Sequence, residues 1–468
     1  MSNIRGGSDP QPPNLGGSGH RGSFGSRLGI ILATAGSAVG LGNVWRFPYM
    51  TGQNGGAAFL LLYIGCIFIL GIPGMLSEFI VGRHAQANAA RAYDKLSGGR
   101  PWRLVGYLGI LTATIILGFY AVVAGWCLQY LYASIAGQVQ GDAHYVQDYF
   151  VAFSSDALKP VLWGVAFVLL THLVIVRGVR GGIERASKWL MPILLVLLLV
   201  LVVASCMLPG AVEGVKFLLM PDFSKLSSKV VLEALGQAFF SLSLGTACLC
   251  TYASYFSKET KLLNAAGQIA LLDTMIAIFS GLMIFPAAAS VGISPDSGPS
   301  LIFITLPNVF QQAFGAVPVV GYVVSVMFYA LLVFAALTST ISMHEIGTAF
   351  FIEEFHMSRS RSAWVVTTAA SLLCVGCAWS VGAYSNLQLL GLSLMDFCDQ
   401  LTADFMLPLG SMLTCLFVGW YVPRQTVWDE FTNKGQCSQR YFGIFLFFVR
   451  FVCPACILLI FLHQVGVL

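Results

Sequence analysis

From Gly36 to Arg46 the chain reads Gly-Ser-Ala-Val-Gly-Leu-Gly-Asn-Val-Trp-Arg, a run of small residues followed by an amide and a guanidinium. These residues lie in an apolar stretch, 28–49, long enough to enter a bilayer, where each glycine costs roughly 1 kcal/mol against alanine in a helix. Gly36 and Gly40 have the spacing of small residues that let helices approach closely, so packing alone is one reading. Asn43 and Arg46 favour another, because both are expensive in lipid and call for a water-filled pathway or a partner. The stretch is therefore expected to be a broken helix, since backbone freed at mid-membrane depth must be buried in protein or line a cavity. The amides of Leu41 and Gly42, at a half-helix N-terminus, suit a carboxylate. Carbonyls at the break suit an ammonium.

Other apolar runs carry isolated polar groups. Gln237-Ala-Phe-Phe-Ser-Leu-Ser-Leu-Gly-Thr246 interrupts the run 231–255 with hydroxyls and a glycine, as a second break or as an ordinary helix with back-bonded Ser and Thr. Asp273 lies within the run 264–292, where an ionisable carboxylate is functional by default; the alternative is a protonated packing residue. Thr338 and Ser339 offer hydroxyls beside Ala335, with Ser339 one helical turn after it. Gly182 and Pro192 have nine residues between them at the start of another run, and proline disfavours helix just before it. Twelve cysteines fall mostly in apolar runs, so the C-x-x-C spacings of Cys374/Cys377 and Cys453/Cys456 read as packing rather than redox chemistry. His344-Glu345 lacks the second histidine of a zinc-protease motif, and with no nucleophile–base constellation or phosphate loop an enzyme is not expected.

The elements that must hold these groups follow from composition. Of 468 residues, 57% are hydrophobic and 10% charged, against about 25% charged in soluble domains, which makes the chain a polytopic membrane protein. Nothing basic and aromatic suggests nucleic acid. Residues 1–26, rich in Gly, Ser, Pro and Asn, read as a disordered cytoplasmic tail and not a signal peptide. Eleven apolar runs follow, near 28–49, 57–82, 105–135, 160–177, 188–208, 231–255, 264–292, 321–354, 363–381, 388–419 and 441–465. Basic residues crowd 83–103, 177–188, 359–361 and 424–440, whereas 136–159 carries Asp142, Asp148 and Asp156 against Lys159. By the positive-inside rule the N-terminus is cytoplasmic and the C-terminus outside. Between runs seven and eight, the stretch at Leu301–Pro307 is too short and Pro-broken to span and too apolar for a bland surface loop, which leaves a re-entrant packing segment as one reading.

AGSAVGLGNVWRFPY at 35–49, GQNGGAAF at 52–59, SEFIVGR at 77–83 and GQAFFSLSLG at 236–245 resemble the neurotransmitter:sodium symporter family in its bacterial amino-acid branch. Further matches run to about residue 410. The resemblance implies an all-α polytopic membrane protein of about 11 transmembrane helices, built as a LeuT-like 5+5 inverted repeat with broken helices 1 and 6. On it, 27–209 is the first repeat and 210–419 the second, with the lid hairpin near 298–315. Residues 420–468 form a cytoplasmic loop and helix 11.

Sodium is a hard cation that takes oxygen ligands. By resemblance, the carbonyls of Gly36, Val39 and Ala335 with the hydroxyls of Thr338 and Ser339 form one sodium site. The carbonyl of Ala38 with Asn43, Ser241 and Asp273 forms the other, completed by the substrate carboxylate. Tyr120 matches the tyrosine that holds that carboxylate, and Phe240 the aromatic that closes over the site. Ser37, Ile116, Phe240, Ser243, Thr246 and Met343 would line the side-chain pocket, with Thr246 replacing a bulkier residue of some relatives. Gly40 stands where monoamine carriers have aspartate, which implies an amino acid as substrate. Arg46 and Asp396 would form a water-bridged outer gate, and Arg21 with Glu353, near Tyr255, the inner latch together with Phe24. The Gly182 to Pro192 spacing matches one that lets helix 5 unwind. Tyr63, Gln237 and Ser241 match much of a chloride cage, but Asp273 replaces an asparagine and Ala277 offers no hydroxyl. Together these imply Na+-coupled symport of neutral, hydrophobic or aromatic L-amino acids, chloride-independent and with proton antiport, through a bacterial inner membrane. The expected partners are the amino acid, Na+ and the bilayer, with a homodimer allowed. A sensor with the same fold and no flux is the alternative.

Overall fold

Both expected helix breaks are present in the computed structural model of the chain, which describes residues 22–141, 143–292, 301–314 and 317–464. The first span, α1, consists of Arg27–Ala38 and Gly42–Gln53, bent by 55°. The other long apolar helices are α2 (Ala57–Ala85), α3 (Arg103–Ile135), α4 (Lys159–Ile175), α5 (Val179–Cys206), α7 (Leu262–Ser290), α8 (Pro318–Glu354), α9 (Arg359–Val381), α10 (Leu394–Tyr421) and α11 (Phe442–His463). The sixth span, α6, is split into Ser228–Ser241 and Cys248–Ala253. The tenth helix starts later than the apolar run at 388. There a two-residue hairpin pairs Gln388 with Ser393 and Leu389 with Leu392, turning through Leu390 and Gly391 at positive φ.

Each break has a local cause. Val39 is extended and ends the first half of α1, and the chain resumes at Gly42–Arg46 as a wide i→i+5 turn. In α6, Ser243, Gly245 and Ala247 have φ of 53°, 83° and 58°, left-handed values that end a helix. A Cβ on Gly245 would also strike the Leu407 carbonyl. The freed amides of Gly245 and Cys250 donate to the two carboxylate oxygens of the buried Glu78 on α2, at 2.8 and 3.2 Å.

The packing divides the spans into two groups. α3 packs on α4, α8 and α9, while α2 packs on both halves of α6 and on α7. α1 lies between them, against α5, α7 and α8. The apolar lid stretch folds as Leu301–Thr305 and Leu306–Ala313, with Phe303 buried among Trp126, Tyr130 and Phe150. Residues 22–26, expected within the disordered tail, are packed. Phe24 inserts edge-on between Tyr252 and Tyr255, and Ser26 caps α1 through the Gly29 amide. An aromatic ring with an apolar slot to fill outweighs the entropy of a short polar segment.

At the end of the bundle that carries the basic loops, expected to be the inner end, Arg83 is buried and fixed to the short helix Arg424–Thr432. Its Nε lies 2.6 Å from Glu430 Oε2, and its terminal nitrogens donate to the Glu430 and Thr260 carbonyls and to Asn433. Burial pushes the Glu430 carboxyl up, but the His84 hydrogen bond and the Arg83 charge outweigh it and hold the group at about 2. A carboxyl depressed below its unfolded value of about 4.3 stabilises the fold above that pH and loses this contribution as pH falls through the folded value. Glu430→Gln is expected to destabilise the detergent-solubilised protein by about 3 kcal/mol at pH 7, as removing one partner of a buried pair does. The difference from wild type should shrink between about pH 4 and pH 2 in denaturation curves, with the variant changing less.

Candidate functional site

The two breaks face one another across α7. Asn43, fully buried, donates from Nδ2 to Asp273 Oδ1 at 2.8 Å and to Ser241 Oγ at 3.1 Å, and its Oδ1 accepts the Gly40 amide at 3.1 Å. Ser241 Oγ donates to Asp273 Oδ2 at 2.8 Å, and the Tyr63 hydroxyl lies 3.2 Å from the same oxygen. Gln237 Nε2 reaches the Gly42 carbonyl at 3.5 Å, while its buried Oε1 has no partner. Among the described residues no basic side chain forms an ion pair with Asp273. A carboxylate at this depth, held only by neutral donors, needs either a proton or a cation from outside the chain.

A second oxygen cluster lies where α1 meets α8. The Val39 carbonyl receives Thr338 Oγ1 at 3.3 Å and Ser339 Oγ at 3.2 Å, and Thr338 Oγ1 is 2.9 Å from the Ala335 carbonyl. A Cβ on Gly36 would stand 3.3 Å from both Thr338 Cβ and Met191 Sδ, so the glycine lets α1, α8 and α5 converge. This second cluster offers only oxygens, the donor set of a hard cation, whereas the first sets the Asp273 and Ser241 oxygens beside the Asn43 amide.

Between the clusters is a small cavity of about 60 Å³. It is lined by Ser37, Ala38, Gly42, Ile116, Tyr120, Phe240, Ser241, Ser243, Thr246, Ser339 and Met343, all anticipated from the sequence. Leu41 faces the cavity above it, and its free amide donates to the Tyr120 hydroxyl at 3.1 Å. A Cβ on Gly40 would lie 3.1 Å from that hydroxyl and collide with Ser339 Oγ, so the site admits no side chain there. Ser243 Oγ donates to the Ser37 carbonyl at 3.2 Å, joining the breaks directly. Thr246 turns its hydroxyl to the Ser243 carbonyl at 2.8 Å and so braces the break as well as lining the cavity. Cys248, Ser342 and Leu407 also line it and were not anticipated, because an apolar or small residue in an apolar run gives no signal.

Above Phe240 a larger cavity, about 320 Å³, opens between Arg46, Tyr49, Phe119, Asp396 and Asp399. Arg46 lies 4.2 Å above the Phe240 ring and forms no ion pair among the described residues. Asp396 instead accepts Ser393 Oγ at 2.7 Å, so the expected gate partners face one cavity without touching. Asp399, three residues on, joins them; sequence reading passed over it, although an acid in an apolar span was the available signal.

At the end that carries the basic loops, the expected latch is described through Phe24, Tyr255 and Glu353. Arg21 lies outside the described residues. Glu353 accepts Asn88 N at 2.8 Å, while the Tyr255 hydroxyl goes to Glu345 at 2.8 Å, which is paired with Arg359 at 2.5 Å. Glu345 is fully buried, and it takes both the Tyr255 hydroxyl and the Arg359 guanidinium. The Gly182 to Pro192 segment is helical here, opening with a wide turn at Val179–Glu184. Glu184 in that turn accepts Gly25 N at 2.6 Å, Ser26 Oγ at 2.9 Å and Lys188 Nζ at 2.6 Å, tying the start of α1 to α5.

A multi-pass all-α protein whose two broken helices face each other across an oxygen-lined, membrane-buried site has the architecture of an ion-coupled transporter. Residues 21–148 and 143–468 match the model of the sodium:neurotransmitter symporter family. The chain is 38% identical over 447 residues to the uncharacterized sodium-dependent transporter YhdH of Bacillus subtilis, covering 95% of this chain and 97% of that one. It is 33% identical over 458 residues to an uncharacterized sodium-dependent transporter of Haemophilus influenzae, covering 95% and 98%. The crystal structure of MhsT in complex with L-phenylalanine superimposes with a TM-score of 0.86 at 41% identity, over 95% of this chain and 100% of that one. The chain belongs to the sodium:neurotransmitter symporter family.

The shared cavity makes a prediction for the outer gate. Neutralising Arg46, Asp396 or Asp399 singly should impair uptake. Double-mutant cycles should give coupling of about 0.5 kcal/mol or more for Arg46 with each acid. Additive effects in both cycles would separate the guanidinium from the carboxylates.

Proposed function

We propose that the protein carries neutral, hydrophobic or aromatic L-amino acids together with Na+ by alternating access, without chloride and with return of a proton. The observation that carries this reading is Asp273, a buried carboxylate with neutral donors on every oxygen and no basic partner, beside backbone carbonyls freed by the α1 break. Na+ binds there on the Ala38 carbonyl, Asn43, Ser241, Asp273 and the substrate carboxylate. A second Na+ binds on Gly36, Val39, Ala335, Thr338 and Ser339. The Leu41 and Gly42 amides and Tyr120 hold the substrate carboxylate, and Gly40 leaves the chain no acid of its own to offer an amine.

MhsT was solved with L-phenylalanine, which supports an aromatic or large apolar substrate here. The cavity of about 60 Å³ is smaller than the roughly 150 Å³ that admits benzene, so Phe240 must swing toward the vestibule for such a side chain to enter. α1, α2, α6 and α7 rock against α3, α4, α8 and α9, with the N-terminus in the cytoplasm of a bacterium and the protein in its inner membrane. With sodium bound, Asp273 is ionised by the adjacent cation; with sodium gone, its desolvated surroundings favour the proton that the empty carrier takes back.

In proteoliposomes, an inward sodium gradient should drive accumulation of labelled phenylalanine or leucine, and replacing chloride by gluconate should leave the rate unchanged. Saturable sodium-dependent binding with no accumulation would identify a sensor instead. Asp273→Asn should abolish coupled proton export and either stop uptake or make it chloride-responsive. Pro192→Ala should reduce turnover while sparing sodium-dependent binding, because α5 must open beside Met191 for the second Na+ to leave inward; unchanged turnover counts against that route.

A further inference from the structure

The inner end of α10 carries a feature that neither the transport site nor the gates use. Phe417–Tyr421 of α10 and Phe448–Val452 of α11 are both wound as wide i→i+5 turns, and the two turns pack against each other. Such turns release carbonyls from the helical ladder. Here two neighbouring residues exchange partners. Arg450 Nε donates to the Gly419 carbonyl at 2.6 Å, and Trp420 Nε1 donates to the Arg450 carbonyl at 3.2 Å. A Cβ on Gly419 would stand 3.0 Å from Arg450 Cγ, so the glycine makes room for the arginine stem. The guanidinium carbon lies 5.2 Å from the Trp420 ring centroid.

This arrangement fixes an arginine within a membrane span and leaves it incomplete. Among the described residues Arg450 forms no ion pair, and its two terminal amino groups have no protein partner. Ile444, Phe447 and Phe451 on the same helix are exposed apolar residues, so the surroundings are lipid. The depth is interfacial, since α10 ends at Tyr421 and the polar helix Arg424–Thr432 follows. A guanidinium held by its Nε is not free to extend into water as a snorkelling side chain would. The other side of α10 repeats the pattern. Arg100 lies 5.6 Å from the Tyr421 ring centroid, at the mouth of an apolar groove of about 560 Å³ floored by Trp102, Leu104, Leu108 and Leu413.

We propose that the inner end of α10 binds anionic phospholipid on both of its sides, one headgroup phosphate on the free donors of Arg450 with its acyl chains beside Phe451, and another on Arg100 with its acyl chains along Leu108. Planar guanidinium forks match phosphate oxygens, and the aromatic rings keep them oriented. The occupant is lipid rather than a soluble anion because the cations stand over apolar surface at headgroup depth.

The test uses the full chain reconstituted in equal parts phosphatidylcholine and phosphatidylglycerol, extracted in mild detergent, with retained lipid read by native mass spectrometry. Wild type should retain phosphatidylglycerol over phosphatidylcholine by roughly fivefold for each arginine, the factor that about 1 kcal/mol per interfacial cation corresponds to. Arg450→Gln should lower the preference by about that factor and Arg450→Lys by less, since lysine keeps the charge without the fork. Arg100→Gln, at an exposed residue, should lower it without affecting folding, which keeps the test open if the Arg450 variants fold poorly. Excess inorganic phosphate should not displace the lipid. Equal retention of the two lipids by wild type, an unchanged preference in Arg100→Gln and Arg450→Gln, or displacement by phosphate would each overturn the proposal.

Discussion

Backbone amides and carbonyls opened inside a membrane must find partners, because each one left unpaired in hydrocarbon costs several kcal/mol. Two spans are opened in this way, and much of the surrounding structure answers that demand. Glu78 reaches from α2 to take the amides of Gly245 and Cys250. Asn43 takes the Gly40 amide, and Tyr120 the Leu41 amide. Ser243 and Thr246 use their hydroxyls on carbonyls of the breaks. The partners come from α2, α3 and α8 as well as from the broken helices, so the breaks hold both groups of helices in register. What stays unanswered is a small set of oxygens and amides, and these face the cavity.

Charge follows the same economy. Away from the cavity, buried acids are matched by bases, as Glu345 by Arg359 and Glu430 by Arg83, or by freed backbone amides, as Glu78 is. Asp273 has hydroxyls and an amide around it but no base. Asp273 is thus a local electrostatic deficit beside the two helix breaks. Arg46 is the corresponding excess one layer out, above Phe240 and facing two carboxylates across a cavity. The difference between paired and unpaired charge separates scaffold from site more clearly than depth does.

The inner half of the molecule is connected through few residues. Glu184 binds the start of α1 and sits in the wide turn that opens α5, two residues after Gly182. Phe24 fills the slot formed by Tyr252 and Tyr255 on α6, and Tyr255 touches the Glu345–Arg359 pair on the scaffold.

Much of this was already written in the chain. Eleven apolar runs, glycines where lipid would favour leucine, and single polar residues in apolar company are local signals, and they located the spans and both breaks, while the residues of the cavity lining came from the family resemblance. They work because a membrane removes the alternatives: a polar atom in a span must serve something. Pairing was a different matter. That Tyr255 joins Glu345 rather than Glu353, that Arg46 rests on Phe240 with Asp399 as well as Asp396 before it, and that Leu407 completes the cavity depend on how helices cross. Residues from helices distant in sequence meet at distances no spacing rule encodes. The tail is the converse case: its composition reads as disorder, and only the slot between Tyr252 and Tyr255 gives Phe24 a reason to be fixed. Sequence determined which groups had to be satisfied, and the tertiary structure decided by which partner, because satisfaction in a membrane is a local need with a nonlocal solution.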